Sequence, residues 1–445
     1  MTIQATHTFP RNFKWGTATA AHQVEGGATN SDWAAWEKLP GKINDGGSAA
    51  VACDWWGGRW REDFDRAAAD GQTAHRLGVD WSRIEPSPAA WDEDALDHYR
   101  QMVKGLRERG LEPMVTLHHF ANPLWLMEKG GWENVAAVGH FERFVRKVVK
   151  ALGDYVDLWC VFNEINVFAY FSYIDGAWPP GKKNIVAAFK VARHMLSAHA
   201  VAYRAIHELQ PQARVGIAHH VRPIDPAKPE FALDGWTAKL QYRLFTETIP
   251  QALHTGRLLF PIGRLNERLP ELAGTFDCFG INYYSRYHSA FDLSQPGTLF
   301  GRTFHPPEVE QDHLGLNELY PEGLYRAIKW AAKFKKPILI TENGWGDVDE
   351  SRRTRALLLH LRQLWRTVNF NWPVQAYYYW TLVDNFEWER GWSQRFGLYE
   401  LDLATQERRP RPAAKLYAEI CKANSFSAEM VERYAPELLP AMFPG

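Results

Sequence analysis

Two glutamates in this sequence follow almost directly on short apolar, strand-like runs. Glu164 comes after the run 157–162, and Glu342 comes after the run 337–341. An ionised carboxylate at the end of a buried strand is costly unless it is paired or takes part in chemistry. Two carboxylates in one site can serve as proton donor and acceptor, or as acid and nucleophile. The two glutamates are therefore the first candidates for catalytic residues.

Eight such apolar runs alternate with helical patterns along the chain, and no linker or internal repeat divides it. The predicted strands are 14–20, 74–80, 112–117, 157–162, 214–218, 278–283, 337–341 and 374–380. The predicted helices are 60–68, 95–109, 141–152, 185–210, 323–334, 353–367 and 413–422. Several strands are nearly continuous runs of apolar residues, which is typical of parallel strands covered on both faces.

This alternation predicts an α/β protein built as a single (β/α)8 barrel with long insertions in its βα loops. An open, doubly wound sheet is the alternative, but no GxGxxG follows the first strand. We expect one catalytic domain over residues 1–445, with a core at about 9–424 and a C-terminal extension at 425–445. In such a barrel the C-terminal ends of all strands meet at one rim, so residues far apart in sequence can share one pocket.

Composition excludes several classes of partner. The chain has 445 residues, 51 Lys+Arg against 52 Asp+Glu, and 46% hydrophobic residues. A net charge of -1 provides no general attraction to nucleic acid or to anionic membranes. No run approaches the roughly 20 apolar residues of a membrane span, and the N-terminus lacks the pattern of an export signal. Four widely spaced cysteines favour buried thiols over a disulfide framework, so we expect a cytoplasmic protein.

The ordered motifs of the chain resemble those of glycoside hydrolase family 1, the retaining β-glucosidases and β-galactosidases. The resemblance covers nearly the whole chain, to about residue 422. Its motifs are FPRNFKWG at 9–16, QVEG at 23–26, WSRI at 81–84, LHHF at 117–120, NE at 163–164, GINYY at 280–284, TENG at 341–344 and WTLVDNFEW at 380–388. A single short motif would be weak evidence, whereas the ordered set is specific.

The resemblance implies that Glu164 is the general acid/base and Glu342 the nucleophile of a retaining double displacement. That mechanism requires carboxyl groups about 5–5.5 Å apart, against about 6.5–9.5 Å for inversion. We expect the negative charge of Glu342 to raise the pKa of Glu164, which keeps Glu164 protonated for the acid step. Esterification of Glu342 then removes that charge and lets Glu164 act as a base.

Further roles follow from the resemblance position by position. Arg76 corresponds to an arginine beside the nucleophile and Tyr284 to a tyrosine that hydrogen-bonds it, while Tyr283 could be the core aromatic of that pair, since neighbours on a strand face opposite ways. The implied sugar-binding residues are Gln23, His119, Asn163, Trp380, Glu387 and Trp388. A serine replaces the matched Glu387 in the 6-phosphoglycosidase branch, and a glutamine replaces the matched Glu164 in the thioglucosidase branch. Neither branch fits this chain.

The chain departs from the common family pattern on the leaving-group side. Ile165 and Asn166 follow Glu164 where many members have Pro and Trp, and His22 stands where a tyrosine is common. These departures leave the aglycone preference open. Asn166, Trp178 and Trp125 are candidates for the pocket mouth, with loop packing as the alternative for each.

The expected activity is hydrolysis of terminal non-reducing β-D-glucosyl residues, with side activity on β-galactosides and β-fucosides and with transglycosylation. The expected partners are small β-glycosides such as cellobiose, cello-oligosaccharides or aryl and alkyl glucosides, and a homo-oligomer is compatible with the sequence. No cofactor and no metal are expected, because adjacent histidines such as His118 and His119 on a strand point to opposite faces. The alternatives are a β-mannosidase or glucosyl-transferring relative, and a non-catalytic sugar-binding protein.

Overall fold

The computed structural model describes residues 5–443. The strands of this part of the chain are β1 (Thr6–Thr8), β2 (Lys14–Ala18), β3 (Ala74–Gly78), β4 (Glu112–His118), β5 (Leu158–Asn163), β6 (Arg214–His220), β7 (Ile224–Pro226), β8 (Cys278–Asn282), β9 (Tyr287–Phe291), β10 (Gly301–Phe304), β11 (Ile338–Asn343), β12 (Val374–Trp380), β13 (Tyr399–Leu401), β14 (Arg408–Pro410) and β15 (Ser425–Ser427). Eight of them form a closed barrel in the order β2-β3-β4-β5-β6-β8-β11-β12.

All neighbours in this barrel are parallel, and β12 closes it by pairing with β2. The predicted (β/α)8 barrel is therefore confirmed, and the alternative prediction of an open, doubly wound sheet is wrong. Each predicted strand is present within two residues of its expected bounds. The differences lie mainly at the C-terminal ends, where β5 continues to Asn163 and β11 to Asn343.

The helices of the described residues are α1 (Ala21–Val24), α2 (Asp32–Trp36), α3 (Trp60–Ala69), α4 (Trp81–Ile84), α5 (Glu93–Glu108), α6 (Leu124–Glu128), α7 (Ala136–Leu152), α8 (Ile165–Tyr170), α9 (Ile185–Leu209), α10 (Ala232–Tyr242), α11 (Thr248–Thr255), α12 (Glu322–Ala331), α13 (Glu350–Asn369), α14 (Pro412–Ala423), α15 (Ala428–Tyr434) and α16 (Leu439–Met442). All seven predicted helices are present. Polar side chains fix several helix starts, as where Asn184 caps α9 by accepting from the amides of Val186 and Ala187.

Long segments after the barrel strands build the rim above the C-terminal ends. The segment after β6 carries β7, α10 and α11, and β7 joins β9 and β10 in a small three-stranded sheet. Wide π-helical turns extend α8 over Phe171–Asp175 and α10 over Arg243–Glu247. These insertions place loops and helix ends around the barrel mouth.

The chain after residue 424 packs against the start of the chain. Strand β15 pairs antiparallel with β1, and the buried Phe426 stands opposite His7 in this pair. Phe443 stacks on the His7 ring at 4.4 Å between centroids. Residues 425–443 are thus an ordered part of the molecule, and residues 444–445 of the expected extension lie outside the described residues.

All four cysteines are buried free thiols in the described part of the chain, as the sequence predicts. None of the helices between residues 5 and 443 combines the length and the apolar character needed to cross a bilayer.

Candidate active site

A cavity of about 730 Å³ opens at the C-terminal rim of the barrel. Its walls come from strand ends and from the long segments that follow them. The residues around it include His119, Asn163, Glu164, Trp178, His220, Arg222, Tyr284, Glu342, Trp380, Glu387 and Trp388. The two candidate catalytic glutamates, which are 178 positions apart in the sequence, therefore share one cavity.

Glu342 lies within β11 and is held by a cation and a phenol. Arg76 Nη1 donates to Glu342 Oε1 at 2.5 Å, and the Tyr284 hydroxyl donates to Oε2 at 2.7 Å. Arg76 is completely buried, and its Nε donates to the Thr116 hydroxyl at 3.0 Å. Burial and the charge of Glu164 raise the pKa of Glu342 to about 7, while the Arg76 charge and the Tyr284 hydroxyl oppose that rise. The guanidinium contact favours the ionised form of this carboxyl.

Glu164 has neutral partners instead. Asn282 Nδ2 donates to Glu164 Oε1 at 2.8 Å, and His220 Nδ1 lies 3.1 Å from the same oxygen. Burial lowers the pKa of His220, so its ring is neutral near pH 7. Burial raises the pKa of Glu164 to about 7. Because only Glu342 contacts a cation, a proton shared by this buried pair resides on Glu164.

The cause of the raised pKa differs from the expectation. The sequence predicts that the negative charge of Glu342 raises the pKa of Glu164. In the structure, removal of the carboxyl from water is the largest cause, and the distant charges of Arg76 and Arg222 act in the opposite direction. The proton on Glu164 thus depends chiefly on its buried position.

A continuous hydrogen-bond network connects the two glutamates. Arg76, which binds Glu342, also donates from Nη2 to Asn163 Oδ1 at 2.6 Å. That oxygen accepts from Asn282 Nδ2 at 3.1 Å, and the same nitrogen reaches Glu164. The side chains in this network are buried at strand ends. Their mutual orientation is therefore fixed by the barrel rather than by mobile loops.

The backbone at Glu164 adopts a conformation that is unusual for this residue type. Its φ is +47°, in the left-handed region, at the junction between β5 and α8. A side chain with a Cβ pays roughly 1–2 kcal/mol for this conformation. The Glu164 amide donates to the Ala218 carbonyl at 2.8 Å, which holds the junction in place. Such conformations concentrate at functional sites, where they aim a side chain.

Two unused hydrogen-bonding atoms belong to His119, which lines the cavity, and to the buried Gln23, which does not line it but contacts the lining residue Glu387. Gln23 Nε2 donates to Glu387 Oε2 at 3.2 Å and to the Phe386 carbonyl, which leaves Gln23 Oε1 without a partner among residues 5–443. Asn163 Nδ2 donates to His119 Nε2 at 3.0 Å, which leaves the buried His119 Nδ1 equally free. Burial lowers the pKa of His119, so this ring is neutral. A free acceptor and a free donor therefore remain in the site.

Aromatic rings lie close to His119. The Trp388 ring lies 5.9 Å from that of His119 at an angle of 26°, and the Trp380 ring lies 6.0 Å from it. Trp33 packs against Trp388 with ring centroids 4.7 Å apart. Flat rings beside polar groups suit a ligand that presents both CH faces and hydroxyls.

The three candidates for the pocket mouth separate in the structure. Trp178 lines the cavity, and its indole N–H donates to Glu389 Oε2 at 2.5 Å. Trp125 does not line the cavity: it is buried, and its indole donates to the Glu85 carbonyl. Asn166 lines a neighbouring cavity, and its amide donates to the carbonyls of His220 and Phe245. Trp125 and Asn166 therefore do not line this cavity, because local backbone acceptors hold both side chains away from it.

The two neighbouring tyrosines after β8 have different partners. Tyr284 contacts Glu342, whereas the hydroxyl of Tyr283 donates to the Tyr320 carbonyl, so Tyr283 is the core member of the pair.

The sequence does not single out Asn282 and His220, which hold Glu164, as site residues. Asn282 lies within the GINYY motif, and this motif could have indicated it as a site residue.

Between residues 5 and 443, no group of three or more His, Cys, Asp or Glu side chains is arranged to hold a metal ion.

Comparisons with known proteins agree with this geometry. The profile of glycosyl hydrolase family 1 matches residues 5–426. Beta-glucosidase A of Thermotoga maritima is 31% identical over 443 residues, covering 94% of this chain and 98% of that protein. A beta-galactosidase of Pyrococcus woesei is 29% identical, with 95% and 99% covered. The solved structure of a beta-glycosidase from Pyrococcus horikoshii superposes with a TM-score of 0.89 at 33% identity, covering 97% of this chain and 98% of that chain.

The barrel, the rim cavity and the near full-length matches lead to the same result. This chain is a glycosidase that belongs to glycosyl hydrolase family 1.

Proposed function

We propose that this protein hydrolyses terminal β-D-glucosyl residues by a retaining double displacement. The observation that carries the proposal is the contrast between the two buried carboxyls of one cavity. Glu342 contacts the Arg76 guanidinium, while Glu164 is held by the neutral Asn282 and His220. Such a division supplies an ionised nucleophile and a protonated acid at the same pH.

In the first step, Glu342 attacks the anomeric carbon while Glu164 protonates the departing glycosidic oxygen. The product is a covalent glycosyl-enzyme ester on Glu342. Esterification removes the negative charge that Arg76 neutralised, and Glu164, now deprotonated, takes a proton from an incoming water. The water replaces Glu342 at the anomeric carbon, and both inversions together retain the β configuration. An acceptor alcohol in place of water gives transglycosylation.

The glycone would be recognised by His119 and Glu387 of the cavity wall and by Gln23, which contacts Glu387. The free Gln23 Oε1 and the free His119 Nδ1 match the donor and acceptor of neighbouring sugar hydroxyls. Asn163 would contact the 2-hydroxyl, and Trp380 and Trp388 would border the ring. Because one epimeric hydroxyl changes discrimination by only a few kcal/mol, side activity on β-galactosides and β-fucosides is expected.

The direct test is hydrolysis of 4-nitrophenyl β-glycosides, with the first-formed sugar followed by proton NMR. We expect turnover of the glucoside, and β-glucose as the first product before mutarotation. Release of α-glucose first would overturn the retaining mechanism. Faster turnover of the mannoside, or mainly transfer products at high acceptor concentration, would favour the alternative relatives. No turnover of any glycoside would favour a sugar-binding protein.

The buried free thiols support a reducing compartment, and we propose that the protein works in the cytoplasm. The proposed substrates are small β-glycosides such as cellobiose, cello-oligosaccharides, or aryl and alkyl glucosides.

The pKa of Glu164 predicts how activity depends on pH. The acid step needs the protonated form of Glu164, and burial raises the pKa of this carboxyl to about 7. We therefore expect kcat/KM for a slow-leaving alkyl glucoside to fall about tenfold per pH unit above pH 7. In Glu164→Gln this basic limb should be absent when a dinitrophenyl glucoside, which needs no acid, is the substrate. A basic limb at the same pH in that variant would assign it to another group.

Glu387 offers a test of glycone recognition. Its carboxyl lies on the cavity wall beside Gln23, and removal from water raises its pKa to about 8. If Glu387 binds the 6-hydroxyl, Glu387→Gln should lower kcat/KM for 4-nitrophenyl β-glucoside by about 10- to 100-fold. The matched 4-nitrophenyl β-xyloside lacks that hydroxymethyl group and should lose clearly less. Equal losses for both substrates would show that Glu387 does not read this part of the sugar.

A further inference from the structure

A second, mainly apolar cavity of about 970 Å³ lies beside the rim cavity. We call it the side cavity. It is enclosed by the end of α8, by α9, by the segment after β6 and by the segment after β8. Its walls include Tyr170, Ile174, Phe189, Leu244, Phe245 and Leu299. Gln241 donates to the backbone carbonyls of Thr298 and Gly301, while Gln241 Oε1 and Asn166 Oδ1 have no partner among residues 5–443. The interior therefore suits a mainly apolar group and offers two free amide oxygens as acceptors.

The side cavity and the rim cavity share a wall. Arg222 and Tyr287 line both of them. Among the described residues that line the side cavity, Arg222 is also the only charged one. A ligand that leaves the rim cavity in this direction would thus meet one cation first and apolar side chains beyond it.

The guanidinium of Arg222 is positioned but unpaired. Its carbon lies 4.6 Å from the centre of the Tyr287 ring and 4.8 Å from that of Phe245. No hydrogen bond or ion pair of this guanidinium is found among residues 5–443, whereas the nearby Arg286 pairs with Asp225 and Glu318. Stacking on aromatic rings fixes the plane of a guanidinium and leaves its N–H edge free for a carboxylate.

We propose that Arg222 and the side cavity bind the aglycone of β-glucosides of hydroxyalkanoic acids. The carboxylate would pair with Arg222, and the alkyl chain would enter the side cavity. This inference rests on the proposed β-glucosidase function and names a substrate class for it. Charge complementarity requires an anion at the shared wall, and the apolar lining beyond Arg222 requires an uncharged chain.

The positions of Glu164, Arg222 and the side cavity favour an aglycone with two groups, called its arms here: a carboxylate for Arg222 and an alkyl chain for the side cavity. The glucosyl oxygen must lie near Glu164, and the Arg222 charge is close enough to lower the pKa of that carboxyl. A 3-hydroxyalkanoic acid places its carboxylate two carbons from the glycosidic oxygen and its alkyl chain on the other side. One arm can then reach Arg222 while the other extends past it.

The experiment uses four β-glucosides that differ in one arm at a time. They are the glucosides of 3-hydroxydecanoic acid and 3-hydroxybutyric acid, each as the free acid and as the primary amide. With the wild-type enzyme we expect kcat/KM to be at least about tenfold higher for the acids than for the amides, because a charge-assisted bidentate contact is lost in the amide. We expect a preference of similar size for the long chain over the short chain.

Two variants separate the arms. Arg222→Met should abolish the acid-over-amide preference and keep the chain-length preference. Leu244→Trp, which fills the side cavity from a partly exposed position, should lower the long-over-short ratio about tenfold and keep the acid-over-amide preference. Because each readout is a ratio between substrates of one enzyme, the effect of Arg222 on the pKa of Glu164 cancels. Leu233→Trp, on the neighbouring α10 and outside the cavity wall, is the matched control and should change neither ratio.

The outcomes separate this inference from the function on which it rests. Turnover of 4-nitrophenyl β-glucoside without either preference would overturn the inference and leave the β-glucosidase intact. If the wild-type enzyme turned over no β-glucoside at all, the proposed function itself would be overturned. If Leu244→Trp does not fold, Ile174→Trp fills the same cavity from the other side. An unchanged chain-length ratio in a folded cavity-filling variant would contradict the role of the side cavity.

Discussion

Replacing Glu342 by glycine should reduce hydrolysis of 4-nitrophenyl β-glucoside by at least about 10⁴-fold, since the variant lacks the proposed nucleophile. The loss should exceed that of any other single change in the site. Arg76 and Tyr284 contact this carboxyl directly, and among the described residues neither is hydrogen-bonded to another carboxyl of the cavity. The measurement is kcat/KM under conditions where wild-type turnover is complete within minutes.

External azide or formate should restore cleavage in Glu342→Gly, because a small anion can occupy the space left by the side chain. A single displacement by azide gives the α-glycosyl azide, which inverts the configuration. Glu342→Gln is the matched control: it also lacks a nucleophile but still fills that space, so azide should not restore it. Full activity of Glu342→Gly without added anion, or recovery with a β-glycosyl azide, would contradict the assignment of the nucleophile.

The barrel itself could be predicted from the sequence because its strands are nearly continuous apolar runs between amphipathic helices. Most errors in the strand bounds lie at the C-terminal ends, and for β5 and β11, which continue past their predicted ends, the error has one physical cause. Asn163 pairs in register with Ala218, and Glu342 with Asn282, so both polar residues are still in the barrel ladder. A pattern of apolar residues cannot detect strand residues whose side chains are polar for the sake of the site.

The partners of Glu164 could not be predicted in the same way. Asn282 and His220 come from the ends of β8 and β6, and contact with Glu164 depends on which face of each strand they occupy. The neighbours Tyr283 and His219 point elsewhere, to the Tyr320 and Thr246 carbonyls. Alternation along a strand shows that one member of each pair faces the site, but only the barrel register shows which one.

Which candidates for the pocket mouth line the rim cavity could not be predicted either, for a different reason. Trp125 and Asn166 occupy segments after strand ends, where the side chain is directed by the nearest free backbone carbonyl. Trp125 finds the Glu85 carbonyl and Asn166 finds those of His220 and Phe245. Trp178 instead finds the carboxylate of Glu389 on the cavity wall. Such local choices depend on tertiary contacts that are not encoded by residue type or spacing.

Replacing Glu164 by alanine should have the second largest effect, and the size of that effect should depend on the leaving group. Loss of a general acid costs about 10²–10⁴-fold when the departing oxygen needs a proton. We therefore expect a loss of this size for an alkyl β-glucoside or cellobiose, and a much smaller loss in the first step for 2,4-dinitrophenyl β-glucoside. A plot of log kcat/KM against leaving-group pKa should be markedly steeper for the variant than for the wild type.

The second step supplies an independent readout of the same residue. Without Glu164 no base activates water, so the glycosyl-enzyme on Glu342 should accumulate and produce a burst of dinitrophenol. Azide needs no base and should accelerate turnover, and its product should be the β-glycosyl azide because two displacements then occur at the anomeric carbon. Glu389→Gln, which changes a carboxyl at the cavity wall that holds Trp178, is the comparison variant and should show neither the burst nor the azide effect.

Equal losses for good and poor leaving groups in Glu164→Ala would show that the proton comes from another group. An α-glycosyl azide from Glu164→Ala would show that Glu342 does not form the intermediate, and the opposed environments of the two carboxyls would then need a different explanation.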